Sequence, residues 1–403
     1  MYIERALSQK LLKASRFFPA IVLTGARQVG KSTFLKRIFP DYRYVTLDSP
    51  LLAEEAESNP EIFLRKYPPP VIIDEVQYAT GLFRHLKIVI DANPADRGSY
   101  ILTGSQKFEL MKGVSESLAG RIAVFEMEGL SLQELDQAGI SGGEELDWYI
   151  KLLQLGGFPQ LWVEDEMPLD VFFPSYTGTY LERDVRQLVA VANLRDFERF
   201  LRACALRSGQ LLNKSELARD VGIAVSTAGE WLGVLHALGH IVLLEPWFSN
   251  MGKRLSKSPK LYLRDVGLLC HLLGLHGNDI INSPVIGSIW ETFVFSELRK
   301  QIARGSGNRR LWFYRDQSQA EIDFILEEGF KCTLFECKWS SNPDRKGTQA
   351  LERVAKAFAK SKDYKVVDKV LLSRSNQEVK WDDVHLRPLR KAIFDHPEGE
   401  SNV

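Results

Sequence analysis

The stretch GARQVGKST, residues 25–33, decides the fold of this 403-residue chain. It follows the apolar run AIVLTG and opens a helix-length segment. Gly25, Ala26, Arg27, Gln28, Val29, Gly30, Lys31, Ser32 and Thr33 therefore stand in the GxxxxGK[ST] pattern between a strand and a helix. In that context Gly25 and Gly30 let the backbone curl round phosphate oxygens and the helix aims its first amides at them. Lys31 reaches the β- and γ-phosphates, and the Ser32 hydroxyl is a magnesium ligand.

Working outward, the runs YRYVTLD (42–48), VIIDE (71–75), SYILTGS (99–105) and RIAVFEM (121–127) alternate with helix-length segments. Such alternation predicts an α/β parallel sheet with crossover helices. VIIDE ends in two carboxylates: Asp74 is expected to hold the magnesium shell and Glu75 to orient and deprotonate the attacking water. One strand later, Ser105 is expected where a sensor touches the γ-phosphate, and strand four is expected between strands one and three. A hydrolase is favoured over a kinase. A guanine-reading NKxD is missing, since the nearest string, NKSE at 213–216, ends in Glu. Arg121 and Arg183 are candidates for charge stabilisation at a neighbouring subunit or domain, which leaves a homo-oligomer open.

Beyond Gly129 the texture changes to amphipathic helices, followed from Asn213 by helix, turn, helix and two strands, IVLLEPW and KLYLRD, the order of a winged helix. The segment MGKRLSKSPK (251–260) places Lys253, Arg254, Lys257 and Lys260 on the expected wing tip. Ser226, Thr227, Glu230 and Trp231 are expected to face outward near the start of the second helix. That helix carries no arginine, so contact with DNA backbone is favoured over base readout; a protein-binding role for the same unit stays open.

The last stretch reads as helix, three strands, helix and strand. Glu291 lies on its first helix, Asp323 on its second strand, and Glu336 and Lys338 on one face of its third strand. The order resembles a PD-(D/E)xK nuclease core, with Ile322 where the motif has proline. Glu291, Asp323 and Glu336 are the candidate metal ligands and Lys338 the group beside the water.

The strings GARQVGKST, VIIDEVQ, ILTGSQ, SLAGR, YLERDV, KLYLRDVGLL, EIDFIL and ECK resemble a large group of bacterial and archaeal AAA-type ATPases. In that group a P-loop domain is joined to a C-terminal domain of unknown function. The resemblance implies ATP binding, an ASCE-type sheet, and Lys31, Ser32, Asp74 and Glu75 in the roles above. Gln106 after TGS departs from the small hydroxyl residue expected there.

The 52 basic and 52 acidic side chains cancel, so no global field draws the chain to a polyanion and any such site is local. Cys204, Cys270, Cys332 and Cys337 show no CxxC or disulfide spacing. The N-terminus lacks a signal-peptide succession and no run approaches the ~20 apolar residues of a membrane span. A cytoplasmic chain without membrane contact is expected. The expected units are a P-loop ATPase domain (1–130), a helical lid or linker (131–211), a winged helix (212–284), a nuclease-like domain (285–395) and a polar tail (396–403). The leading expectation is a magnesium-dependent ATPase, with ATP and Mg2+ as cofactors, acting on or with DNA. An ATP-gated metal-dependent nuclease and a nucleotide-dependent protein-interaction switch are the alternatives.

Overall fold

The structure, a computed structural model, describes residues 1–104, 117–140, 142, 145–181, 194–248, 258–305, 307–316, 320–358 and 364–394. Ser105, Arg183, Lys253, Arg254, Lys257 and the polar tail lie outside the described residues.

A five-stranded parallel sheet is built from β1 (Ala20–Thr24), β2 (Arg43–Thr46), β3 (Val71–Asp74), β4 (Tyr100–Thr103) and β5 (Ile122–Glu126). Its order is β2-β3-β4-β1-β5. Every residue of β1, β3 and β4 is buried, which is why these strands read as unbroken apolar runs. Their side chains alternate between two cores. Ile21 and Leu23 meet Phe34 and Leu35 of the helix Lys31–Ile38, while Ala20 and Val22 lie in the cluster with Leu86 and Ile90 of the helix Leu82–Ala92. With β4 between β1 and β3, the C-terminal ends of these three parallel strands lie side by side at one edge of the sheet.

The described residues from 127 to 181 carry no strand. The helix Leu132–Gln137 opens on a reciprocal cap, Ser131 and Glu134 each bonding the other's backbone amide. Next, β6 (Gln210–Leu211), β7 (Ile241–Leu244) and β8 (Lys260–Leu263) form an antiparallel sheet ordered β6-β8-β7. It accompanies the helices Lys214–Val221 and Val225–Ala237. Gly222, left-handed at φ 84°, ends the first of them and sets the turn. Ser226 and Glu230 are exposed and Thr227 half-buried, but Trp231 is buried, edge-on to Phe197 and Phe200. The outward expectation for Trp231 is corrected by its spacing, since Ala228, Leu232 and Leu235 share its apolar stripe.

The six-stranded mixed sheet comprises β9 (Arg309–Arg315), β10 (Glu321–Glu328), β11 (Lys331–Cys337), β12 (Lys365–Ser373), β13 (Val379–Trp381) and β14 (Val384–Pro388). Their order is β13-β14-β12-β11-β10-β9. The helix Ile286–Arg304 covers one face through Phe295 and Leu298 against Phe324 and Phe335. The helix Gln349–Phe358 covers the other through Leu351 and Val354 against Ile322 and Leu334. One hydrophobic core runs continuously from Leu130 through Trp231 and Leu261 to Phe335, so the three units after the parallel sheet are packed as one body. All four cysteines are buried and unbridged.

Candidate nucleotide site and carboxylate cluster

The loop between β1 and the helix Lys31–Ile38 takes three left-handed or glycine-only backbone steps, at Gly25 (φ 148°), Gln28 (φ 61°) and Gly30 (φ 91°). At Gly25 a Cβ would lie 2.4 Å from the Met127 carbonyl oxygen; only glycine permits that approach. The Lys31 ammonium donates to the carbonyls of Gly25 and Ala26, each at 2.9 Å, and so lies within the curl of the loop. The Ser32 hydroxyl donates to Asp74 Oδ2 at 2.6 Å. Tyr44, on β2, donates its phenol to the same oxygen. Burial, then the Asp74 hydrogen bond and charge, push the Tyr44 phenol up, which keeps it a donor.

Asp74 is 3% exposed at the end of β3. The next residue, Glu75, is left-handed (φ 54°, ψ 41°), turning its side chain off the strand line, and its amide donates to Asp74 Oδ1 at 3.0 Å. Gln77 donates its amide to the Glu75 carboxylate. At the end of β4, between these two motifs, the buried Thr103 hydroxyl has no hydrogen-bond partner among the described residues. Arg121 forks onto Asp91 of the helix Leu82–Ala92; that bond holds the Asp91 carboxyl below the usual range. Arg121 is thus engaged at the rim of its own sheet.

Tyr44, Gln77 and Arg5 did not stand out in the sequence. Arg5 is buried and donates to the Val29 carbonyl at 2.9 Å, to the Glu128 carbonyl at 2.6 Å and to Glu134 at 3.1 Å. It ties the P-loop to the segment after β5 through contacts more than a hundred residues apart in sequence. Glu128 in turn meets Arg264 at 2.6 Å and Arg299 at 2.9 Å, and Arg264 also meets Glu126 at 2.7 Å. Burial alone would raise the Glu128 carboxyl, but the Arg264 and Arg299 guanidiniums overcome it and hold the group at about 2.

A second ionic site lies in the C-terminal sheet. Lys260 is no wing-tip cation: it is 2% exposed. Its ammonium stands 3.0 Å from Glu291, 2.6 Å from Glu321 and 3.9 Å from Asp323. The correction has a physical reason, because Lys260 is the first residue of β8 and its side chain crosses to the neighbouring sheet. Tyr262 donates to Glu291, and the Cys337 amide donates to Asp323 Oδ2 at 2.8 Å. Lys338 pairs with Glu336 Oε1 at 2.8 Å, while the buried Glu336 Oε2 has no hydrogen-bond partner among the described residues. Burial first, then the facing Asp323, push Glu291 to about 7 and Glu336 to about 8. Among the described residues no group of three His, Cys, Asp or Glu side chains is arranged to hold a metal ion. Glu291 and Asp323 are brought together, but round an ammonium.

The parallel sheet and the glycine-shaped loop before its helix define an AAA-type P-loop ATPase, an ATP-binding class. Residues 18–136 match the family model described as AAA domain. Residues 286–392 match a domain of unknown function, DUF4143, and residues 146–279 another, DUF8612. The chain belongs to the family of the uncharacterized protein Rv2008c of Mycobacterium tuberculosis: the two are 32% identical over 346 residues, 85% of this chain and 76% of the relative. The uncharacterized protein Mb2031c of Mycobacterium bovis matches with the same figures, 32% over 346 residues, 85% and 76%. Among solved structures, the Walker-type ATPase of Pyrococcus abyssi matches over 67% of this chain and 96% of its own, with 18% identity and a TM-score of 0.46. The RuvB Holliday junction branch migration motor of Thermotoga maritima matches over 60% and 90%, with 15% identity and a TM-score of 0.32. Likeness at that level carries no argument about activity. No helix among the described residues is long and apolar enough to cross a membrane.

Proposed function

We propose that this chain binds ATP with magnesium in the loop of residues 25–33, hydrolyses it, and passes its nucleotide state to a winged helix that contacts DNA and to a nuclease-like C-terminal unit. The observation that carries the reading is the 2.6 Å bond between Ser32 and Asp74, which joins the two nucleotide motifs across 42 residues. A hydroxyl and a carboxylate are hard oxygen donors suited to magnesium. Bound there with ATP, the ion would neutralise phosphate charge. Lys31 then faces the β- and γ-phosphates, and the Glu75 carboxylate, held by Gln77, takes the proton of the attacking water. Ser105 is the proposed sensor beyond β4.

Helix, turn, helix and antiparallel strands support the winged-helix reading, and exposed Ser226 suits phosphate contact. Strand cleavage is no part of this function, because the Lys260 ammonium stands among the carboxylates that cleavage requires. Nucleotide affinity and turnover of Lys31→Ala and Glu75→Gln, with and without DNA, test the proposal. Lys31→Ala should lose binding; Glu75→Gln should keep it and turn over at least about a hundred-fold more slowly. Wild-type turnover in Glu75→Gln removes that residue as the base, and turnover indifferent to DNA replaces DNA with a protein partner.

A further inference from the structure

The turn from Gln28 to Gly30 leads into the helix Lys31–Ile38, and a side chain from the start of the chain grips it. Gln28 and Gly30 are left-handed, at φ 61° and φ 91°, and Val29 between them is buried. A non-glycine residue keeps such a conformation only where its surroundings hold it. Here the Val29 carbonyl accepts from Arg5 Nη1 at 2.9 Å. In a planar trans peptide the carbonyl and the amide of one unit point opposite ways. The bond to Val29 therefore also fixes the direction of the Gly30 amide, away from Arg5.

The same guanidinium has three further acceptors. Arg5 Nη2 donates to the Glu128 carbonyl at 2.6 Å and to the Gly129 carbonyl at 3.2 Å, and Nε donates to Glu134 at 3.1 Å. A guanidinium presents its donors in a rigid fork, so acceptors on separate nitrogens keep a fixed mutual geometry. An ammonium carries all its donors on one atom and imposes no fork. The Glu128 carboxylate is meanwhile gripped by Arg264, just past β8, and by Arg299 on the helix Ile286–Arg304.

We propose that Arg5 is a positioning residue of the nucleotide site: holding the Val29 carbonyl, it turns the Gly30 amide towards the phosphates, and holding the Glu128 and Gly129 carbonyls, it ties that amide to the segment gripped by Arg264 and Arg299. The proposal rests on the nucleotide reading of residues 25–33. Backbone amides are the loop's means of cradling phosphate, and Arg5 acts through one of them without touching the nucleotide. Linkage makes the tie reciprocal. Whatever shifts β8 or the helix Ile286–Arg304 changes nucleotide affinity, and nucleotide changes their footing on Glu128.

Affinity for a fluorescent ATP analogue and turnover at saturating ATP, both on the full chain, separate this role from a merely structural one. Arg5→Lys keeps a cation for Glu134 and loses the fork. It should bind the analogue at least about ten-fold more weakly. Its turnover at saturation should stay within about two-fold of wild type, because the lost contact serves ground and transition states alike. Glu134→Gln breaks the ion pair but leaves Arg5 its three carbonyls, so it should keep wild-type affinity. Partial unfolding would do the opposite, lowering turnover and sparing the affinity of the folded fraction. Hydrogen exchange on wild type covers the case in which circular dichroism shows Arg5→Lys unfolded: the analogue should slow exchange in residues 127–134 as well as in the loop. Wild-type affinity in Arg5→Lys, an equal fall in Glu134→Gln, a fall in turnover instead of affinity, or protection confined to residues 25–33 each overturns the role of Arg5. A wild type that holds no ATP analogue removes the nucleotide reading and this role with it, so the two failures are told apart by wild type alone.

Discussion

Glu128→Gln is expected to cost about 3 kcal/mol of stability at pH 7. The wild-type carboxylate is 12% exposed, and it lies 2.6 Å from Arg264 and 2.9 Å from Arg299. Removing it leaves Arg264 facing Glu126 and takes from Arg299 the carboxylate it meets. The magnitude comes from two routes. Breaking a buried ion pair by deleting one partner costs roughly 3–5 kcal/mol. Independently, a carboxyl held at about 2 against an ordinary 4.5 is worth about 3 kcal/mol. Because the folded value is depressed, this stability is present above pH 4.5 and is lost as pH falls towards 2. Urea denaturation of both proteins between pH 7 and pH 3, read by circular dichroism, measures the effect. Wild type should lose most of the increment across that acid limb, whereas Glu128→Gln, already lacking it, should fall less steeply. Equal stabilities at pH 7, or identical acid limbs, refute the account of this ion pair.

Two further outcomes are expected. Gly25→Ala forces a Cβ to 2.4 Å from the Met127 carbonyl at φ 148°, so the loop opens and a fluorescent ATP analogue should bind at least about ten-fold more weakly, a strain of about 1–3 kcal/mol; unchanged affinity would show that the close approach is dispensable. Replacing Lys253, Arg254 and Lys257 with Ala should weaken DNA binding and flatten its salt dependence by about one counterion per lost phosphate contact. A titration at several salt concentrations checks this, and Lys260 is left out because it faces the carboxylates.

The nucleotide site was legible because its parts are local. GARQVGKST stands between strand and helix in the chain as in space, and strands buried on both faces announce themselves as VIID and YILT. Lys260 was not legible: it follows the basic string GKRLSKSP and reads as one more loop cation, while its partners come from a helix and from a different sheet. Arg5 was hidden for the same reason, its acceptors lying far along the chain. Trp231 could have been placed inward from its spacing with Ala228 and Leu235. The strands β13 and β14 escaped because VKW and VHLRP are short and polar at alternate positions, joined through Asp382, which adopts a left-handed φ of 54°.

The cysteines give the molecule a built-in clock. Cys204, Cys270, Cys332 and Cys337 are all buried, and none belongs to the parallel sheet. Burial also pushes the Cys204 and Cys270 thiols well up, so a thiol reagent meets little thiolate while the core stays closed. Labelling must therefore wait for an opening of the helical, β8-bearing or C-terminal parts, and the five-stranded sheet can open without registering. The Cys337 amide bonds Asp323, so its labelling rate times the loosening of the strand that holds the acid cluster together, in the native sequence and with no probe introduced.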